Sequence, residues 1–326
     1  MAGVNYAARG MVTLVLLSMW AAEGYVIPQV YKTLGEEDAW LSYSTHAVVV
    51  GVLYLLSLSA YITAAAADPG SVPHSLATLP IQTRVPSTSP PHPDDDPEFC
   101  DWSGEGTTDA VGSRHAGGDN FCEACGVFKP PRAHHCSRCR ACVLRMDHHC
   151  PWLGACVGVG NYKPFVLTCI YFCATAFWNL TTLWPFLAYV IPSLGEYNDA
   201  HPYQMALVML HLVLSLFTAG FAAILSGSHL NLISRNMTTI EAKKEMSERD
   251  GKERRRLRRH PYLPRPQYHR WDYGIMGNMR SVFGHALWSW PIPNIPPSGD
   301  GLSFPISELY KAERRRFVRL HRDHIA

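Results

Sequence analysis

Residues 122–156 read CEACGVFKPPRAHHCSRCRACVLRMDHHCPWLGAC and hold seven of the ten cysteines together with four histidines. CxxC pairs begin at Cys122, Cys136 and Cys139. The charge pattern described below places this stretch in the reducing cytosol, where so dense a set of thiols predicts metal binding rather than disulfides. A CxxC turn directs two thiolates at one tetrahedral ion, and zinc suits mixed Cys and His ligands.

Eight of these side chains are enough for two sites of three cysteines and one histidine. Adjacent residues of extended backbone point to opposite sides, so His135 and Cys136 are expected to bind different ions. Spacing alone also leaves a simple sequential division open. The interleaved division predicts one set made of Cys122, Cys125, His135 and Cys142 and another made of Cys136, Cys139, His149 and Cys156.

One thiol of the stretch, Cys150, is left over. The same alternation puts His148 and Cys150 on one side of the backbone and His149 on the other. Asp147 precedes them and is placed to accept the second imidazole N–H. These are the nucleophile, base and orienting carboxylate of an activated thiol. The alternative is that Cys150 is a spare metal ligand, and the chemistry of the residues does not decide between the two.

Outside this stretch the apolar residues are gathered into four nearly uncharged runs. Each run reaches the roughly 20 apolar residues that cross a bilayer core. Backbone groups in lipid must pair internally, so each run predicts a helix. Helices buried in a soluble protein are the alternative, but those carry a single apolar stripe. The four runs are residues 11–31, 44–66, 165–191 and 205–233.

Glu23 makes the first run the weakest of the four. A charge at that depth is costly, so it is expected to face the bundle interior or a polar cavity, unless the span is tilted and places it near the head groups. The run does not have the pattern of a cleaved signal peptide. Cys169 and Cys173, in the third run, are expected to pack as small apolar groups rather than to hold a cofactor.

The cations predict the topology. Of the 29 Lys and Arg residues, only Lys32 falls in the two short loops at 32–43 and 192–203. The positive-inside rule therefore places both termini and the cysteine-rich stretch in the cytosol.

Composition divides the rest of the chain. Residues 71–120 are rich in Pro, Ser, Thr, Gly and Asp and are predicted to be a disordered linker in which Cys100 is incidental. Basic runs at 252–259 and 314–316 predict contact of the tail with anionic lipid. A nucleic-acid partner would need a soluble chain, so none is predicted.

The pattern C-x2-C-x9-H-C-x2-C-x2-C-x4-D-H-H-C-x5-C-x4-N-x3-F runs from Cys122 to Phe165 without a gap. It resembles the DHHC family of protein S-acyltransferases. Two short stretches, DPG after the second run and TTIE after the fourth, look like the family's other motifs, and an asparagine in GNMRSVFG resembles its C-terminal motif more loosely. The residues matched in this way are Asp68, Pro69, Gly70, Thr238, Thr239, Glu241 and Asn278.

The resemblance implies an all-α membrane protein of four transmembrane helices, with a small loop-rich cytosolic domain that binds two structural Zn²⁺ through the interleaved sets. It implies an enzyme that moves a long-chain fatty acyl group, palmitoyl in particular, from acyl-CoA to cysteines of membrane-associated proteins. Cys150 would carry the acyl group, with His148 and Asp147 completing the catalytic group. The helices would form a cavity for the acyl chain, and the family suggests a Golgi or endoplasmic reticulum membrane.

Lys129, Arg132 and His134 lie just before zinc ligands and are predicted to meet the phosphates of the CoA head group. Their alternative role is an ordinary solvated surface. Asp68 and Glu241 each follow a span and are expected to cap or brace helices rather than to take part in chemistry.

The predicted units are residues 1–70 with two helices, the linker 71–120, the zinc domain 121–165, two further helices in 166–234 and the basic tail 235–326. A catalytically silent zinc scaffold that binds partner proteins at the membrane is the main alternative. Such a scaffold would need the ligands but not Asp147, His148 or Cys150. A transporter or channel would depend on Glu23 alone, without paired broken helices.

Overall fold

The described part of the chain contains three long helices, a domain of short hairpins and, after the third long helix, several shorter helical stretches. Most of the first apolar run, including Glu23, most of the linker with Cys100, and the basic run 252–259 fall outside it, so the statements about them remain predictions. The computed structural model describes residues 9–10, 24–25, 28, 39–73, 121–191, 202–247, 269–295, 299–313 and 315.

Three of the four predicted spans are found as helices. They are α1 (Ala39–Ala66), α2 (Tyr162–Val190) and α3 (Pro202–Ser234). Each contains a stretch of 23 to 30 residues that is long and apolar enough to cross a membrane. Large apolar side chains such as Leu55 and Phe217 are exposed along them, as expected of a surface that lipid covers.

The central helix of the three is α2, because it packs against both of the others. Ser57 of α1 and Thr175 of α2 approach each other with hydroxyl oxygens 3.4 Å apart. On the other side, Leu183 of α2 is buried against Met205 and Val208 of α3. The helices therefore share one apolar interior rather than standing apart.

The cysteine-rich domain consists of three antiparallel hairpins with strands of two or three residues. The sequence predicted an all-α chain with a loop-rich domain, and the structure adds these short strands. They were not predicted because strands of two or three residues are too short to show an alternating pattern in the sequence. The hairpins are β1 (Phe121–Cys122) with β2 (Val127–Phe128), β3 (His134–Cys136) with β4 (Ala141–Val143), and β5 (His148–Cys150) with β6 (Ala155–Val157).

The three hairpins are copies of one unit, and the interval between copies is 14 residues. Cys122, Cys136 and Cys150 occupy the same place in successive units. The second and third units also share their strand register, since a histidine faces a cysteine in each. A turn residue with φ between 53° and 66° follows at the same interval, in Gly126, Arg140 and Gly154.

The chain leaving α1 joins the hairpin domain directly. The Asp68 carboxylate accepts hydrogen bonds from the backbone N–H groups of Gly70 and Ser71 at 2.8 and 3.1 Å. This turn brings the carbonyl of Gly70 within 2.7 Å of the Leu144 N–H, which donates to it. Asp68 therefore braces the junction between membrane helix and hairpins.

A second junction is made by Asn161, which is fully buried just before α2. Its Nδ2 donates to the carbonyls of Ala64 and Cys156 at 3.1 and 2.9 Å. Its Oδ1 accepts from the N–H of Gly158 at 2.9 Å. One side chain thus ties the end of α1 and the third hairpin to the start of α2.

The segment after α3 begins with a capping box and later forms a short helix, α4 (Gly274–Phe283). The Thr238 N–H donates to the Glu241 carboxylate at 2.8 Å, and the Glu241 N–H donates to the Thr238 hydroxyl at 3.2 Å. Further along, the buried Asn278 donates from Nδ2 to the carbonyl of Ser234 at 2.7 Å. The C-terminal segment is therefore fastened to the end of α3.

Candidate active site and metal centres

The first predicted ligand set converges on one point. Nδ1 of His135 lies 3.4, 3.2 and 3.9 Å from the sulfur atoms of Cys122, Cys125 and Cys142 respectively. The four ligand atoms all lie within 4.8 Å of one another. Strand pairing causes this, because His135 faces Cys142 across the second hairpin.

The second predicted set repeats this geometry one unit later. Nδ1 of His149 lies 3.6, 3.3 and 3.8 Å from the sulfur atoms of Cys136, Cys139 and Cys156 respectively. His149 faces Cys156 across the third hairpin, as His135 faces Cys142 across the second. The interleaved division is the one that the structure brings together, and the sequential one is not.

Both sets fit a tetrahedral zinc ion. Bonds of about 2.3 Å to sulfur and about 2.0 Å to nitrogen place ligand sulfur and nitrogen atoms about 3.5 Å apart, close to the separations found here. Burial, followed by the nearby thiols of Cys122 and Cys125, raises the pKa of Cys142 to about 12. A divalent cation among these sulfur atoms would offset that effect and stabilise them as thiolates.

The repeat explains why Cys150 is free of both sets. Each set takes its CxxC pair from one hairpin and its histidine and third cysteine from the next. The third unit has Cys150 at the first CxxC position and Leu153 at the second. The helix α2 follows this unit, beginning at Tyr162, so no further His–Cys pair completes a set around Cys150.

Asp147 is held in one orientation by three donors. Its Oδ2 accepts a hydrogen bond from Nδ1 of His148 at 2.7 Å. The backbone N–H of Thr239 donates to Oδ1 and the Thr239 hydroxyl donates to Oδ2, both at 2.8 Å. Burial alone would raise the pKa of Asp147, but the hydrogen bond and positive charge of His148 lower it. Asp147 is therefore an anionic acceptor that fixes the imidazole ring.

His148 and Cys150 share one side of strand β5, while His149 points to the metal set on the other. Burial alone would lower the pKa of His148, yet the hydrogen bond to Asp147 and the interaction with Cys150 raise it to about 9. Because the Nδ1–H of His148 donates to Asp147, the ring presents its other nitrogen, Nε2, to the side of the strand that carries the thiol. This arrangement can exchange a proton with the Cys150 sulfur.

Two further residues of this site, Thr239 and Phe165, were matched to family motifs in the sequence without a role, and a third, His229, was not predicted. Thr239 contacts Asp147, as described, and the other two pack against the His148 ring. Phe165 meets it edge-on with centroids 5.3 Å apart, and His229 of α3 lies 5.9 Å away. The only sequence signal for His229 is a titratable residue near the end of an apolar run, which is costly unless it has a polar partner.

His229 finds such a partner in Tyr162, whose hydroxyl lies 3.2 Å from Nδ1 of the histidine. Asp147, His148 and His229 each place one polar atom within 4.8 Å of the others. His229 is buried, and its ring also packs edge-on against Phe165, with centroids 4.9 Å apart. The His148 ring is thus confined by residues from two membrane helices as well as by its own hairpin.

Cys150 itself is buried in an apolar cluster rather than in a polar loop. The cluster includes Leu153 of the same hairpin, Phe165 and Cys169 of α2, and Phe283 of α4. A thiol in this place lies where the hairpin domain meets the helices, so a long apolar group attached to it would pass directly among apolar side chains.

Arg132 is not placed as predicted for a phosphate ligand. Its side chain is fully buried, and it donates to both carboxylate oxygens of Glu241 at 2.7 and 2.8 Å. It also donates to the side chain and carbonyl of Asn236 at 3.1 and 2.8 Å and lies over the ring of Trp271. Four of its five N–H groups are occupied, so Arg132 braces the hairpin domain against the segment after α3.

We expect Glu241→Ala to lower the thermal stability of the protein markedly, because it leaves the buried Arg132 guanidinium without its counter-charge. Breaking one partner of such a pair costs about 3–5 kcal/mol. Burial would raise the pKa of Glu241, but Arg132 outweighs this and lowers it. The stabilisation is therefore present at neutral pH and is lost as acid protonates the carboxylate. Melting temperature in detergent, measured by scanning fluorimetry, tests this.

Glu245→Ala is the matched control, since Glu245 lies one turn later and pairs with Arg235 at 2.9 Å on an exposed surface. An exposed pair contributes less than about 1 kcal/mol. Equal losses in the two variants would contradict the bracing role of Arg132.

The fold and the site together define a class: a helical membrane protein whose metal-binding hairpins present a free thiol beside a fixed Asp–His pair. Residues 115–246 match the DHHC palmitoyltransferase family, so this part of the chain is a DHHC domain.

Relatives over a wider range agree with this assignment. The chain is 33% identical over 205 residues to palmitoyltransferase ZDHHC15 of Homo sapiens, which covers 61% of this chain and 53% of that protein. It is 34% identical over 263 residues to palmitoyltransferase pfa3 of Aspergillus fumigatus, covering 76% and 42%. Palmitoyltransferase ZDHHC20-B of Danio rerio is 34% identical over 197 residues, covering 58% and 53%. The chain thus spans about half the length of these curated relatives.

Proposed function

We propose that this protein is a protein S-acyltransferase that transfers a long-chain acyl group, palmitoyl in particular, from acyl-CoA to cysteines of membrane-associated proteins. One observation carries the proposal: Cys150 is outside both metal sets and shares its strand face with His148, whose ring is fixed by Asp147 at 2.7 Å. The three relatives described above are all named palmitoyltransferases, which supports the same activity.

The reaction has two steps that use the same groups. A cationic His148 stabilises the Cys150 thiolate, which attacks the thioester carbonyl carbon of acyl-CoA. The carbon–sulfur bond to CoA breaks, and the leaving CoA thiolate takes the proton from His148. Neutral His148 then takes the proton of a substrate cysteine, whose sulfur attacks the acyl group on Cys150. The Cys150 thiolate leaves, and the His148 imidazolium again stabilises it.

The two metal sets have a structural role in this proposal. Bound Zn²⁺ would supply folding energy to hairpins too short to be stable alone. The second set lies on the opposite face of β5 from Cys150, so its ion would hold the strand that carries His148 without touching the reacting atoms.

The CoA head group is proposed to lie beside the hairpins. Lys129 and His134 are half-buried and remain candidates for phosphate contact, whereas the buried pairing of Arg132 with Glu241 leaves that residue out. The active site and both termini are proposed to face the cytosol, from a Golgi or endoplasmic reticulum membrane. The excess of cations outside the two short loops supports this orientation.

The direct test is intact mass spectrometry of the purified protein after incubation with palmitoyl-CoA. We expect one added acyl group per chain, removable by neutral hydroxylamine as a thioester is, and transfer to a cysteine peptide in a second incubation. A protein that holds two zinc ions but never gains an acyl group would instead be a membrane scaffold.

A second expectation concerns the base. His148→Ala should slow self-acylation at neutral pH by about 10²–10⁴-fold, the usual effect of a lost general base. Asp147→Asn should act in the same direction, because it weakens the hydrogen bond that fixes the ring. Both variants should keep two zinc ions, since neither residue belongs to either of the two sets of three cysteines and one histidine. Single-turnover rates with labelled acyl-CoA measure the effect.

His285→Ala provides the control for a generic loss of imidazole, because His285 is exposed at the end of the C-terminal helix. Rates for His148→Ala and Asp147→Asn that equal those of His285→Ala would remove the proposed catalytic group.

A further inference from the structure

Residues 287–295, here called the WSWP segment, follow α4 and begin with a single 3₁₀ turn, Leu287–Ser289. The segment is fastened to two membrane helices. Tyr171 of α2 donates from its hydroxyl to the carbonyl of Pro291 at 2.5 Å. The fully buried Lys163 donates from Nζ to the carbonyls of Ser289 and Ile295 at 2.9 and 3.1 Å.

These contacts place the segment beside the apolar part of the bundle rather than above it. Tyr171 comes nine residues after the start of α2, about 13 Å along the helix axis. Asn294 contacts Thr63, which lies in the last turn of α1 and within its apolar span. The side chain next to Thr63, Ile62, is exposed on the outer surface of the bundle.

The outer face of the segment is apolar and uncovered. Trp288 is 71% exposed and Leu287 is 58% exposed, and Ile292 is exposed as well. The inner face is packed, since Ser289 is buried and Trp290 lies against Phe283 with ring centroids 5.5 Å apart. Exposed apolar side chains therefore continue from α1 around onto this segment.

The segment also meets the condition for backbone at membrane depth, namely that its polar groups find partners inside the protein. The carbonyls of Ser289, Pro291 and Ile295 accept the side-chain hydrogen bonds described above. Two prolines, Pro291 and Pro293, carry no N–H. The indole N–H of Trp290 donates to the carbonyl of Gly284 at 2.9 Å.

We propose that the WSWP segment is an interfacial anchor, inserted into the bilayer at the level of the lipid glycerol groups on the side that carries the metal sets. Trp288 and Leu287 contact lipid there, as tryptophan does in the aromatic belts of membrane proteins. Lipid is favoured over a second protein copy because the exposed face is continuous with the lipid-facing side of α1. The inner face packs on the cluster that contains Cys150, so the anchor holds the wall of that cluster at a fixed depth in the bilayer.

The test uses the full chain in nanodiscs that contain one copy each. Two photoactivatable phospholipids carry a diazirine either next to the glycerol group or at the end of the acyl chain, and adducts are mapped by peptide mass spectrometry. The shallow probe should modify Leu287 and Trp288, whereas the deep probe should modify the mid-span Phe177 of α2, which is 66% exposed, and not the segment.

Trp288→Asp should reduce shallow labelling of the segment several-fold, while Trp288→Tyr, which keeps an interfacial aromatic ring, should retain it. The wild-type map decides the question even if the aspartate variant fails to fold. If the deep probe labels Phe177 and neither probe labels residues 287–292, the proposal is overturned. It is also overturned by discs that hold two copies of the chain and in which the shallow probe no longer labels Trp288.

Discussion

Replacement of Cys150 by serine should abolish self-acylation and transfer to protein cysteines while leaving two zinc ions per chain. Serine keeps the size of the side chain and can still hydrogen-bond to His148, but an alcohol is not ionised by a neighbouring imidazole as a thiol is. Neither metal set includes Cys150, and its pairing with Ala155 in the third hairpin uses backbone groups that a serine also provides. We therefore expect an unchanged melting temperature together with no hydroxylamine-sensitive adduct.

The measurement is zinc per chain by elemental analysis beside self-acylation with labelled palmitoyl-CoA. Cys173→Ser is the matched control, because Cys173 is another free cysteine, in α2 and outside the cluster around Cys150. It should retain both zinc and activity. A Cys150→Ser protein that loses one zinc would make the cysteine a ligand, and one that transfers at the wild-type rate would place the nucleophile elsewhere.

Loss of a zinc ligand should differ from loss of Cys150 in zinc content and in stability. Cys136→Ala or His149→Ala should reduce zinc to about one ion per chain, lower the melting temperature and abolish activity. Structural zinc contributes about 10–16 kcal/mol in small zinc-finger peptides, far more than hairpins of two or three residues can replace. Activity would be lost because the second set holds β5, the strand that carries His148 and Cys150.

The interleaving itself can be tested with double variants. Cys136 and His149 belong to one set, so replacing both should still leave about one zinc ion per chain. Cys142 and His149 belong to different sets, so replacing both should leave none. A sequential division gives the reverse result, because it separates Cys136 from His149 and joins Cys142 to it. Cys173→Ala controls for the loss of a cysteine as such.

The features that the sequence determined are local ones. Membrane helices depend on the length and polarity of a single run, so three of the spans could be predicted to within a few residues. The ligand sets could be divided because His135 and Cys136 are neighbours, and alternation along an extended chain separates neighbouring side chains. The 14-residue repeat that leaves Cys150 unpaired is also present in the spacing of the cysteines.

The features that needed the tertiary structure join residues far apart in the chain. Arg132 has the charge and geometry of a phosphate ligand. Only its ion pair with Glu241, more than 100 residues later, shows that it is buried and joins the hairpin domain to the segment after α3. The orientation of Asp147 likewise depends on Thr239. The position of the His148 ring depends on its packing against His229 of α3.

The physical reason for this division is the range over which each constraint acts. Backbone alternation, turn geometry and the cost of apolar surface in water act within a few residues. The sequence by itself therefore determined three of the helices, favoured the interleaved division of the candidate metal ligands and left Cys150 as the candidate nucleophile. Burial decides which distant side chain meets a given charge or ring, and burial exists only once the helices and hairpins have packed. Only the tertiary structure could therefore decide how the base is held and where the WSWP segment lies.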